Sequence, residues 1–151
     1  MRLLLDTNAY SALMRGHREV VARIRQADRV LVSPIVAAEL LLGFRLGSRF
    51  EENSARFEAF LASPYVEPIP ITQTTADRFA RIAVALRSKG RPIPTNDLWI
   101  AAQVVETGAD LLSSDTHFAE IEGLAWIPFL QNEEDTIRER VRRYYAREPR
   151  E

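Results

Sequence analysis

The sequence predicts an α/β fold: a central parallel sheet of about five strands with helices on both faces, then an amphipathic C-terminal helix. Three observations predict it. Short apolar runs at residues 3–5, 30–32 and 125–127, with Leu111-Leu112 inside the stretch 110–114, look like strands buried on both faces. These runs alternate with longer stretches of helical period, which is the pattern of a covered parallel sheet. Finally, 151 residues with 46% hydrophobic and 27% charged content suit one ordinary globular domain with a sizeable core.

The elements follow in order. Leu3, Leu4 and Leu5 form the first strand, and Asp6 stands where the chain leaves it. Residues 11–27 read as helical, with Val20, Val21 and Ile24 as an apolar stripe and Gly16 as a break. After the strand at 30–32, Ser33 and Pro34 supply an N-cap and a first-turn proline for a helix running to about Phe44. Residues 48–61 make another helix on Phe50, Phe57, Phe60 and Leu61, which Ser63-Pro64 ends. Pro68 and Pro70 confine the extended stretch 66–71 to a sheet edge.

Thr74 or Thr75 is expected to cap the next helix, with Phe79, Ile82, Ala83 and Leu86 on one face and Gly90 as its stop. Thr95-Asn96 opens a helix that is apolar nearly all round and so belongs in the core; Gly108 stops it. Residues 118–121 make a helical turn before the last strand. Composition shifts at Gln131. Residues 133–151 hold six acids and six Arg, yet Ile137, Val141, Tyr144 and Tyr145 keep helical spacing behind an Asn132 cap. The expected organisation is a domain over 1–130 and a charged helical tail over 131–151, disordered past Ala146.

Charge and composition exclude several classes. The net charge is −1, so any nucleic-acid binding must use local patches. Without cysteine there is no thiolate catalysis and no zinc-thiolate site. Asp6 cuts the N-terminal apolar run, no apolar stretch approaches eighteen residues, and a cytoplasmic protein without membrane contact is the expectation.

Four acids carry the chemistry. Glu39 shares a helix face with Ile35, Val36, Leu42 and Gly43, and a buried Glu demands a cationic partner or a metal. Asp97 lies in a first helical turn, where the macrodipole favours acids, and Asp115 follows a strand as Asp6 does, where an Asx-turn would also explain it. Singly, each has a structural explanation. Together they belong to one rim of a parallel sheet, beyond the strand ends where ligands bind. Clustered carboxylates need protons or cations between them, and hard oxygen donors suit Mg²⁺ or Mn²⁺. Such ions activate water for phosphodiester cleavage.

Four segments, Leu4-Leu5-Asp6-Thr7-Asn8, Ser33 through Leu40, Asn96 through Ala102 and Ser113 through Phe118, resemble the PIN-domain family in order and spacing. The closest likeness is to VapC-type toxins of bacterial toxin–antitoxin pairs, over about residues 2–130. The resemblance implies a Mg²⁺-dependent endoribonuclease, with Mn²⁺ as a substitute ion, in which Asp6, Glu39, Asp97 and Asp115 match the acidic metal positions. Thr7, Asn8 and Ser113 match the small polar positions beside the metal. It also implies an RNA substrate, a homodimer and a cognate VapB-like antitoxin occupying the active-site groove. The tail from Asn132 runs beyond where many of these toxins end.

Two basic stretches could flank an RNA groove. Residues 75–92 carry Arg78, Arg81, Arg87, Lys89 and Arg91 against Asp77, and residues 15–29 carry five Arg against two acids. Arg91, before the loop leading to Asp97, is the candidate RNA contact. His117 reads as a surface residue and Trp99 as packing. An aspartyl-phosphate phosphatase would need an acid where Asn8 stands and a well-placed lysine, and Lys89 is the only lysine. The remaining alternative is a PIN-like module that binds RNA or a partner without cutting and has no toxin role.

Overall fold

The computed structural model describes residues 1–131 and 136–147. Its centre is a five-stranded, all-parallel sheet in the order β3-β2-β1-β4-β5, as the apolar runs predict. The strands are β1 (Arg2–Leu5), β2 (Arg29–Val32), β3 (Val66–Pro68), β4 (Asp110–Leu112) and β5 (Trp126–Ile127). β1 lies in the middle, with Leu4 opposite Leu31 on one side and Leu111 on the other. Leu3, Leu4 and Leu5 are buried, since neighbours cover both faces. The chain works outward from β1 through β2 to β3, then crosses back to place β4 on β1's free side. That reversal opens a crevice at the carboxyl ends of β1 and β4.

Among the described residues, seven α-helices accompany the sheet: α1 (Thr7–Met14), α2 (Arg18–Gln26), α3 (Pro34–Leu46), α4 (Phe50–Leu61), α5 (Gln73–Ser88), α6 (Thr95–Thr107) and α7 (Thr136–Ala146). The helical stretch expected over 11–27 breaks at Gly16 as read, into α1 and α2, but it begins earlier, at Thr7. Asp6 accepts from the backbone N–H of Thr7 and caps α1, and Gly16 takes a positive φ of 74° between the helices. Thr72, rather than Thr74 or Thr75, caps α5. Thr75 instead completes a reciprocal capping box, and both hydroxyls donate to the Glu106 carboxylate of α6.

β3 takes the sheet edge, where its proline lacks nothing. β4 stops short of the strand expected over 110–114: the Ser113 hydroxyl accepts from the Asp115 backbone N–H and turns the chain out of the sheet. Nor is α6 buried all round. α5 packs along it, with Trp99 lying against Phe79 at 4.2 Å between centroids, while Val105 stays 48% exposed. The expected Asn132 cap and the residues past Arg147 lie outside the described residues. Helix α7 packs chiefly on α3 and touches α1, burying Val141 but leaving Tyr144 and Tyr145 exposed. Among the described residues, no helix is long and apolar enough to cross a membrane.

Candidate active site

Local structure sends four acids into the crevice. Asp6 is the residue between β1 and α1, fully buried; Asp97 sits in the first turn of α6; Asp115 caps the 3-10 turn Thr116–Glu120; and Glu39 projects from the middle of α3. The turn expected of Asp115 is therefore present, and Asp6 caps α1 in the same way. Each uses one oxygen, Oδ1, for its cap and leaves Oδ2 for the crevice.

Small polar groups fix these carboxylates. Ser113 Oγ donates to Asp6 Oδ2 at 2.6 Å, and Asn8 Nδ2 donates to the same oxygen at 3.1 Å. Asn8 is held in turn, its Oδ1 accepting from the Ser114 backbone N–H at 3.0 Å. Thr7 Oγ1 donates to Glu39 Oε1 at 3.1 Å, tying α1 to α3. Thr7, Asn8 and Ser113 thus stand beside the acids, where the family resemblance puts them.

Two further groups enter the crevice that the pattern of acids did not reveal. His117 was expected at the surface; although its side chain is 43% exposed, Nδ1 lies 3.1 Å from Asp97 Oδ2 and 3.0 Å from Asp115 Oδ1. Its position two residues after a capping Asp was the available signal, since such a turn folds the side chain back over the cap. The second is Arg138 of α7. Its Nη1 donates to Asp6 Oδ2 at 3.0 Å, and its Nη2 donates to Asp97 Oδ1 at 3.3 Å and Asp115 Oδ2 at 2.5 Å. Beside these groups a cavity of about 390 Å³ is lined by Glu39, Asp97, His117, Arg138, Val141 and Tyr145. Arg91 lies apart, exposed on the loop between α5 and α6.

A PIN domain family model matches residues 3–124. Ribonuclease VapC1 of Haemophilus influenzae is 34% identical over 131 residues, spanning 83% of this chain and 96% of that protein. The chain belongs to the PIN-domain family, among the VapC ribonucleases. Among solved structures, that of VapBC-1 from nontypeable Haemophilus influenzae superposes on the PIN domain with a TM-score of 0.75. Its identity is 29%, and the match covers 85% of this chain and 98% of that one. A toxin–antitoxin complex from Klebsiella pneumoniae follows with a TM-score of 0.66 and 25% identity, over 85% of this chain and 99% of that one.

The electrostatics of this PIN domain explain what its crevice demands. Burial first, and then the charge of Asp6, push the Glu39 carboxyl up to about 7, against the pull of Arg138 and the Thr7 hydroxyl. The same two causes push Asp97 up to about 6, again against Arg138. Burial works against the charge of Arg138, but Asp6, Asp115 and Asp97 outweigh it and hold the guanidinium protonated. The pocket therefore calls for positive charge.

The donor set fits a divalent cation. It offers buried carboxylate oxygens, and Asp97, Asp115 and His117 present ligand atoms within 4.8 Å of one another. No thiolate competes, and hard oxygen donors dominate.

A pH dependence follows. Asp97 and Glu39 titrate at about 6 and 7 in the folded protein, above their ordinary 3.8 and 4.5. The folded state therefore binds more protons than the unfolded state in this window. Their contribution to stability is complete below the ordinary carboxylate range and is lost as pH rises through 6–7. In EDTA, the thermal midpoint should be lower at pH 8 than at pH 5.5, and Mn²⁺ should restore part of the loss at pH 8. Equal midpoints at the two pH values, unaffected by Mn²⁺, would contradict these shifts.

Proposed function

We propose that this protein is the toxin of a type II toxin–antitoxin pair, an endoribonuclease that cleaves RNA with Mg²⁺, or Mn²⁺ in its place. The observation that carries the reading is the convergence of Asp6, Glu39, Asp97 and Asp115 in one crevice of a VapC-type PIN domain. The catalytic body is residues 1–130, and residues 131–151 are an added tail.

Asp6 and Asp97 would hold the principal ion, and Glu39 and Asp115 would complete the site by orienting water or a second ion. When bound, the cation supplies activated water and neutralises the charge that develops on the phosphoryl oxygens. The rest is the work of side chains. Ser113 and Asn8 pin Asp6 Oδ2, so that this carboxylate faces the crevice in one rotamer. Thr7 does the same for Glu39. His117 Nδ1, between Asp97 and Asp115, fixes both carboxylates and leaves the far edge of its ring for a proton at the leaving oxygen. Arg91, exposed before α6, meets an RNA phosphate.

The Klebsiella pneumoniae structure is a toxin–antitoxin complex by name, which supports a VapB-like antitoxin as partner here. A homodimer and a cytoplasmic location, where its RNA is found, complete the reading.

Incubating the purified protein with structured RNAs tests it. Discrete shortening with Mg²⁺ and intact RNA with EDTA are expected. RNA that is bound in Mg²⁺ and never shortened would overturn the reading in favour of a binding module.

A further inference from the structure

We propose that helix α7 is an intramolecular plug: it seats Arg138 in the place of the metal ion, so that the ion must displace it, and thereby slows the nuclease without abolishing cleavage. The proposal rests on the metal-site reading above. Arg138 engages Asp6 Oδ2, Asp97 Oδ1 and Asp115 Oδ2, three crevice-facing oxygens of three different acids, with its side chain only 13% exposed. A guanidinium so placed neutralises the charge that a divalent cation would neutralise, and it uses the same oxygens. The two cannot occupy the crevice together, because like charges a few ångströms apart at a buried site repel strongly. Val141 and Tyr145, one and two turns further along α7, line the cavity beside the acids, so the helix obstructs an incoming phosphodiester as well as the ion.

The seat for this helix is built into the body. α3 carries Gly43 and is followed by Gly47 at its C-cap, about one turn on, where α7 crosses it. A Cβ on Gly43 would run into Cγ2 of Ile137 and come within 3.2 Å of its Cβ, atoms too near the backbone to swing aside. Arg140 Nη1 reaches the Gly43 carbonyl at 3.4 Å, and a Cβ on Gly47 would meet the same guanidinium. Glycine inside a helix costs roughly 1 kcal/mol relative to alanine, and here it makes room for α7. That helix lies beyond residues 3–124, where the family model matches, and the Haemophilus ribonuclease is spanned to 96% by a match that covers 83% of this chain. The plug is thus an addition to the shared nuclease body.

The test compares the full-length protein with Arg138→Gln, which removes the charge, and Gly43→Ala, which unseats α7 without touching an acid. Gly43→Ala also favours α3, so the body should fold. Mn²⁺ binding is followed by the electron paramagnetic resonance signal of the free ion, and RNA cleavage is measured in parallel. Both variants are expected to bind Mn²⁺ at least tenfold more tightly and to cleave RNA faster than wild type. Equal Mn²⁺ affinity in all three proteins would overturn the plug while leaving the metal site standing. Slower cleavage by Arg138→Gln with unchanged Mn²⁺ affinity would overturn it too, making Arg138 a group that grips RNA. Absence of Mn²⁺ binding in every form would overturn the metal site and the plug together.

Discussion

Asp6→Asn should lower RNA cleavage by roughly a thousandfold, about 4 kcal/mol of transition-state stabilisation, while the protein stays folded. The asymmetry of the Asp6 carboxylate is the reason. Oδ1 caps α1 through the Thr7 N–H, and asparagine caps a helix as well as aspartate does. Oδ2 is the working oxygen, accepting from Ser113, Asn8 and Arg138. An amide in its place turns an acceptor into a donor that faces three donors, and it withdraws the central charge from the cation site. Against the lost hydrogen bonds stands relief of the repulsion that Asp6 exerts on Glu39 and Asp97. The thermal midpoint should therefore move by only a few degrees. Cleavage at the wild-type rate by a folded Asp6→Asn protein would remove Asp6 from the mechanism.

Glu39→Gln should separate stability from activity in the opposite direction. Glu39 is 7% exposed, and its carboxyl titrates at about 7 instead of 4.5. At pH 8 it is charged at a buried position, and the shift corresponds to a cost of up to about 3 kcal/mol. Glutamine keeps the carbonyl oxygen that accepts from Thr7 and loses the charge. Without divalent ions at pH 8, the variant should melt several degrees above wild type. At pH 5 the gain should vanish, because Glu39 is then already protonated in the folded state. Cleavage should fall on the order of a hundredfold, as for loss of one preorganised charged group. A Glu39→Gln protein that melts below wild type at pH 8 would show that the carboxylate is not strained by its surroundings.

These two residues illustrate what was legible in the chain. Glu39 stood out because an acid on an apolar helix face needs a partner; it is buried, and the Thr7 hydroxyl donates to it. Asp6 and Asp115 stood out because they follow buried apolar runs, which places them at the carboxyl edge of the sheet. His117 was misjudged. Its exposure was read correctly, but the turn that Asp115 caps folds the ring onto two carboxylates, and turn geometry leaves little trace in composition.

The sequence by itself determined the elements whose causes are local. β1, β2 and β5 follow from short apolar runs, the start of α3 from Ser33-Pro34, the end of α6 from the left-handed Gly108, and the edge position of β3 from Pro68 and the nearby Pro70. It also determined that four acids share one rim, because strand ends in a parallel sheet share an edge. Only the tertiary structure decided what neutralises them. Residues 6 and 138 meet through the seat that α3 offers to α7, where the absent side chain of Gly43 lets Ile137 approach and sets the phase that carries Arg138 inward. That contact depends on the fit of two helix surfaces 95 residues apart in the chain, measured from Gly43 to Arg138, and no local pattern specifies it.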